Sequence, residues 1–142
     1  MSTYRVTASA TTPTQIEVAA RQFRFLIDEP ADLGGKDAAP NPVEYSLAAL
    51  LGCFNVVVHL VARERGVTVT NCNLSAEGDL DPAKVLGQQT DARAGFQQIR
   101  LQVALETDAD AATNQQIIDE AKGRCPVGDN LANATPLKIT LA

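Results

Sequence analysis

Two cysteines carry most of the chemistry available to this sequence. Cys53 lies within NPVEYSLAALLGCF, in the middle of a long apolar run that reads as a buried helix. Cys125 lies within GRCPVGDN, directly before a proline and at the first residue of a second predicted helix. Apolar surroundings disfavour a thiolate, whereas the backbone N–H groups at a helix start favour one. If the fold brings the two thiols together they form a redox couple; if it does not, they are two small hydrophobes. Cys72, on a predicted strand with Thr68 and Thr70, reads as structural.

Other reactive types give weaker signals. Glu44 stands three residues after Asn41, a capping-box spacing, so it either caps its helix or serves a site. His59 is six residues past Cys53, about 120° around the helix, and reads as a hydrogen-bonded core or interface histidine. Gly34 and Gly35 bend a loop; no dinucleotide or P-loop fingerprint surrounds them. With no CxxC and one histidine, the common zinc patterns are excluded, and neither metal nor cofactor is expected.

The 142 residues suit one compact domain, residues 1–142. A net charge of −5, no Trp and no basic run argue against nucleic-acid binding. MSTYRVTASA lacks the apolar core of a signal peptide, and the apolar stretch from Leu47 to Ala62 is interrupted by Asn55 and His59. The expectation is a core helix of a cytoplasmic protein with no membrane span. Three widely spaced cysteines do not suggest a structural disulfide framework.

Around the cysteines, the sequence reads β-rich at first. Tyr4–Ala10 is one strand; Ile16, Val18 and Ala20 mark a second; Phe23, Phe25 and Ile27 mark a third, with a slip of phase at Arg21 and Gln22. Residues 28–42 hold three prolines, two adjacent glycines and four acids, so they form a loop whose acids are solvated. Asn41, Pro42 and Glu44 open a helix that should reach Arg65, with Gly66 ending it. That is about 36 Å of helix. Its middle is apolar on nearly every side, so something beyond one sheet and one helix must cover it, such as a second subunit.

Strands are then expected at Val67–Leu74 and Phe96–Glu106, separated by a polar surface excursion. A helix capped by Asp108 or Asp110 should end at Lys122, broken by Gly123. A short helix from Cys125 to about Ala132 and a strand at Leu137–Leu141 complete the chain. Strands segregated from helices in this way imply an α+β fold with antiparallel sheet.

FLIDEPADLGGKDAAPNPVEYSLAALLGCF, ARERGVTV and GRCPV, in this order, resemble the OsmC/Ohr superfamily of osmotically inducible and organic hydroperoxide resistance proteins. The resemblance implies an OsmC-like fold: antiparallel sheets around a long central helix, assembled as an intertwined homodimer. It implies a two-cysteine thiol peroxidase for organic hydroperoxides, with Cys53 as attacker and Cys125 as resolver, reset by an external dithiol. An ordinary thiol, of pKa about 8.5, is mostly protonated at neutral pH, so an attacking sulfur in an apolar site needs a cation nearby. Hydroperoxide-reducing members supply an arginine from the first hairpin, held by a glutamate near the long helix's start.

In this chain Arg21 and Arg24 are candidates for that cation, and Glu44 for its holder. The family's glutamate position, ten residues before the cysteine, is Val43 here; Glu44 is nine before, about 13.5 Å along the helix and half a revolution away. Arg5 is the remaining N-terminal arginine. This shift in register makes the alternative a family member acting as a small-molecule or lipid-like binder, or a thiol-redox protein, without efficient peroxidase chemistry.

Overall fold

The computed structural model describes residues 1–141. The chain forms two compact units, Met1–Ser46 and a second from Leu47 onward, with the long helix beginning in the first.

The first unit is an antiparallel meander, β1 (Thr7–Ala10), β2 (Ile16–Ala20) and β3 (Phe23–Ile27), in that spatial order. Ala8 pairs with Val18, and Val18 with Phe25. The slip of phase at Arg21–Gln22 is a two-residue hairpin turn: Ala20 pairs with Phe23, and Arg21 takes a left-handed φ of 55°. The first strand is shorter than expected, beginning at Thr7, because residues before it have no partner strand.

Asp28 corrects the reading of the following loop. Its acids were expected in solvent, yet Asp28 is fully buried. Its carboxylate accepts from Thr14 Oγ1, Gln15 Nε2 and the backbone N–H groups of Glu29, Lys36 and Ala38. A buried charge persists only when its lone pairs are used, and here they are. Burial works against ionisation, but the donors of Glu29, Ala38, Lys36 and Thr14 outweigh it and hold this carboxyl below its ordinary value. Gly35 completes the fold-back; a Cβ there would lie 1.7 Å from the Glu29 carbonyl oxygen.

Helix α1 spans Pro42–Glu64. Its start follows the sequence closely: Asn41 Oδ1 accepts from Glu44 N–H at 2.9 Å, and Glu44 Oε2 accepts from Asn41 N–H at 2.8 Å. Tyr45 anchors this first turn by donating to the Leu26 carbonyl at 2.7 Å, with its ring beside Phe25. At the far end Gly66, at φ 69°, turns the chain while Val67 N–H returns to the Ala62 carbonyl.

The second unit packs the rest of α1 with β4 (Val69–Asp79), β5 (Gln98–Thr107), α2 (Ala111–Arg124) and α3 (Pro126–Ala132). β4 and β5 form an antiparallel pair. Cys72, Leu74, Ile99, Leu101, Val103 and Leu105 alternate inward onto Leu50, Phe54, Val57, Val58, Val61 and Ala62 of α1 and Ile117 and Ala121 of α2. The other face of α1 is uncovered: Ala48, Ala49 and Gly52 are exposed, and Val56 is 65% exposed. By length and composition α1 could cross a membrane. Its buried face instead builds the core of this unit.

Further differences from the sequence reading lie in the second unit. β4 continues past Leu74 to Asp79, where Arg100 on β5 bridges Glu77 and Asp79 across the outer face. α2 continues through Gly123 to Arg124, since one glycine costs a helix only about 1 kcal/mol. Pro126 stops it instead, by holding Cys125 extended at φ −83°, ψ 109°. Residues 137–141 form no strand: Leu137, Ile139 and Leu141 alternate as a strand would, but all are more than four-fifths exposed. A strand needs a ladder partner, and the described residues offer this segment none.

Candidate functional site

The fold brings Cys53 and Cys125 together. Cys53 is half-buried on the core-facing side of α1; Cys125 is 2% exposed at the junction of α2 and α3. Both are unbonded thiols, Cys53 packs against the core cluster that holds Cys125, and its sulfur is near enough to raise the Cys125 pKa. Cys125 also caps α3, its sulfur accepting from Gly128 N–H at 3.4 Å. Gly128 lies against this corner: a Cβ there would meet the Cys125 sulfur at 3.4 Å and Leu50 at 3.7 Å, ordinary contact distances.

The electrostatics of Cys125 correct the expectation that its helix-start position would favour a thiolate. Burial pushes its thiol up, and the adjoining Cys53 sulfur pushes the same way; the N–H groups of Gly128 and Val127 pull down without prevailing. Cys125 therefore rests as a protonated thiol at neutral pH. Cys72, half-buried on β4, is likewise pushed up by burial.

Cys125 is held in place by ion pairs one residue away. Arg124 reaches Glu64 at 2.6 Å and Glu120 at 2.8 Å, while Arg65 reaches Glu120 at 2.8 Å. The end of α2 is thereby tied to the end of α1, and Arg124 is engaged there. A groove of about 1000 Å³ opens beside the junction. Leu50, Phe54, Ile99, Leu101 and Ile118 give it apolar walls, and Cys125 forms part of its lining.

Two cations of the same groove, Arg93 and Lys122, were not singled out by the sequence. Lys122 carried a modest signal, three residues before Cys125 on the same helical run. Arg93 carried none, since it sits in a polar, glycine-punctuated connection whose path depends on tertiary packing.

The remaining candidates lie in the first unit and make local contacts. Arg24 donates to the carbonyls of Arg21 and Phe23, and the Arg21 guanidinium lies 5.0 Å from the centre of the Phe23 ring. Glu44 closes the capping box. His59 bonds through Nδ1 to the Asn55 carbonyl at 2.9 Å, as a hydrogen-bonded histidine should, but it is exposed and outside the core.

The pattern that defines OsmC-like proteins matches residues 34–140. No curated protein matches the chain. Among solved structures, an OsmC-like protein from Mycoplasma pneumoniae superposes with a TM-score of 0.79 at 20% identity, covering 92% of this chain and 88% of that one. An organic hydroperoxide resistance protein from Elizabethkingia anophelis gives 0.64 at 19% identity, covering 92% and 88%. The organic hydroperoxide resistance protein OhrB of Bacillus subtilis gives 0.60 at 21% identity, covering 90% and 89%. At these identities the likeness is one of fold: α+β, with antiparallel sheets and a long helix.

Proposed function

Because the chain belongs to the OsmC-like protein family, we propose that it is a thiol-dependent peroxidase that reduces organic hydroperoxides through Cys53 and Cys125. The observation that carries this reading is that two thiols from separate elements, Cys53 and Cys125, share one core cluster and lie near enough to affect each other's surroundings. Cys53, the more accessible of the two, attacks the terminal peroxide oxygen. The O–O bond breaks, the alkoxide takes the proton released by the Cys53 thiol, and Cys53 becomes a sulfenic acid. The Cys125 sulfur then attacks that sulfur; hydroxide leaves, takes the Cys125 proton as water, and a disulfide remains. An external dithiol in the cytoplasm restores both thiols and is itself oxidised to a disulfide.

The resting states fit these roles. A resolving cysteine that stays protonated does not compete for peroxide and carries the proton its leaving hydroxide needs. The family resemblance would assign the cation an attacking thiolate needs to Arg21 or Arg24 and its holder to Glu44, reached from a partner subunit. An intertwined homodimer accounts for surface that one chain leaves bare: the Ala48, Ala49, Gly52 and Val56 face of α1, and the alternating Leu137, Ile139 and Leu141.

Stopped-flow oxidation with cumene hydroperoxide tests the reading. Wild type should lose two thiols per peroxide, and Cys53→Ser should lose none at a comparable rate. Equal thiol loss in the two proteins would contradict it.

A further inference from the structure

We propose that α3 is a redox-gated wall of the site: forming the Cys53–Cys125 disulfide draws the Cys125 sulfur off Gly128 N–H, uncaps the helix and opens that side to the reductant. The proposal deepens the peroxidase reading and rests on it for the disulfide. In the reduced protein the Cys125 sulfur has two neighbours. Cys53 lies close by, and Gly128 N–H donates to the sulfur at 3.4 Å, capping α3. A disulfide holds its sulfurs about 2 Å apart, closer than unbonded thiols can approach, so at least one of them must move.

The two elements differ in how far they can yield. Cys53 sits in the middle of the 23-residue α1, flanked by Leu50, Phe54 and Val57, which are locked in the core. Cys125 sits at an extended junction between two helices. α3 has only seven residues, well short of the roughly 12–15 at which an isolated helix is even marginal. Its interior holds Gly128, Asp129 and Asn130, all poor helix formers. None of its residues is fully buried, and Val127 is its contact with the core cluster. A helix this short depends on its cap, so the movement of sulfur falls on α3. Residues 128–133 line one side of the groove, and Cys125 behind them is 2% exposed. While α3 is docked, an external dithiol has no path to the Cys125 sulfur. Loosening the wall makes both sulfurs of the disulfide reachable, which exchange requires.

Diamide tests the switch without peroxide chemistry: it takes two electrons and both thiol protons, leaving a disulfide and a hydrazine. The full chain is oxidised, the link is verified by peptide mapping, and amide hydrogen exchange is read by mass spectrometry. Amides of residues 127–133 should exchange at least about fivefold faster in the oxidised protein, with those of α1 and β4 unchanged. In the reduced protein Cys125→Ala should give the same acceleration, and Cys125→Ser should not, because a serine oxygen also caps. A mapped Cys53–Cys125 link with unchanged exchange would overturn the switch and leave the peroxidase reading standing. Exchange in Cys125→Ala as slow as in wild type, or in Cys125→Ser as fast as in Cys125→Ala, would overturn it too. If diamide yields no link between the two cysteines, the switch and the two-cysteine reading fall together.

Discussion

Asp28 accepts hydrogen bonds from five donors, whereas Cys125 accepts one from Gly128 and adjoins a second thiol. Both groups are sealed from water. Around Asp28 the donors outweigh burial and keep the carboxylate charged; around Cys125 burial outweighs the donors and keeps the thiol neutral. The carboxylate has no capacity left for a substrate, and its role is to fix the loop from residue 28 to 40. The thiol is not tied up in such a network, and the proposed chemistry draws on it. The contrast separates a buried group that builds the fold from one that can do chemistry.

Removing the carboxylate should give the largest effect. Asp28→Ala leaves three backbone N–H groups and two side chains without their acceptor, so the first unit should lose much of its melting stability and the slow amide exchange of Lys36 and Ala38. The same site has a pH signature. Its folded pKa lies below the unfolded value, so its stabilisation is present above about pH 4 and is lost as pH falls through the folded pKa. A wild-type acid titration that is steeper than that of Asp28→Ala would sharpen the comparison; parallel curves would break it.

Ile117 is fully buried in the core cluster that also holds Cys125. Ile117→Ala should cost about 2–5 kcal/mol in urea unfolding and speed alkylation of Cys125 by loosening its surroundings. If alkylation does not change, burial is not what restrains that thiol. Because the folded Cys125 pKa is raised, its contribution to stability is complete below the ordinary thiol range and lost as pH rises through the folded value. The smallest effect belongs to Arg124→Gln. Its ion pairs are more than a third exposed, so salt should abolish the difference from wild type in thermal melts. A loss that survives high salt would give those pairs a structural weight like that of Asp28.

Local signals in the sequence located most elements. Asn41, Pro42 and Glu44 fixed the start of α1, and Gly66 its end, because caps act within one turn. Cys125–Pro126 gave the start of α3 for the same reason, whereas the end of α2 was placed two residues early, at Lys122. The failures required tertiary information. Asp28 sits among visibly solvated acids, and only the return of Lys36 and Ala38 reveals it as the loop's centre. Leu137–Leu141 has the right alternation but no partner strand among the described residues. Proximity of Cys53 to Cys125 rested on family resemblance, since 72 positions of chain separate them. Arg93 reaches the groove through a connection without periodicity, which no local pattern could have placed.

Disulfide mapping tests the redox couple most directly. The reduced protein is treated with one equivalent of cumene hydroperoxide, alkylated, digested and analysed by mass spectrometry. The account predicts a peptide pair linking Cys53 to Cys125, with Cys72 recovered alkylated as a free thiol. Oxidation that links Cys72 instead, or that drives Cys53 to a sulfinic acid while Cys125 stays free, would contradict it.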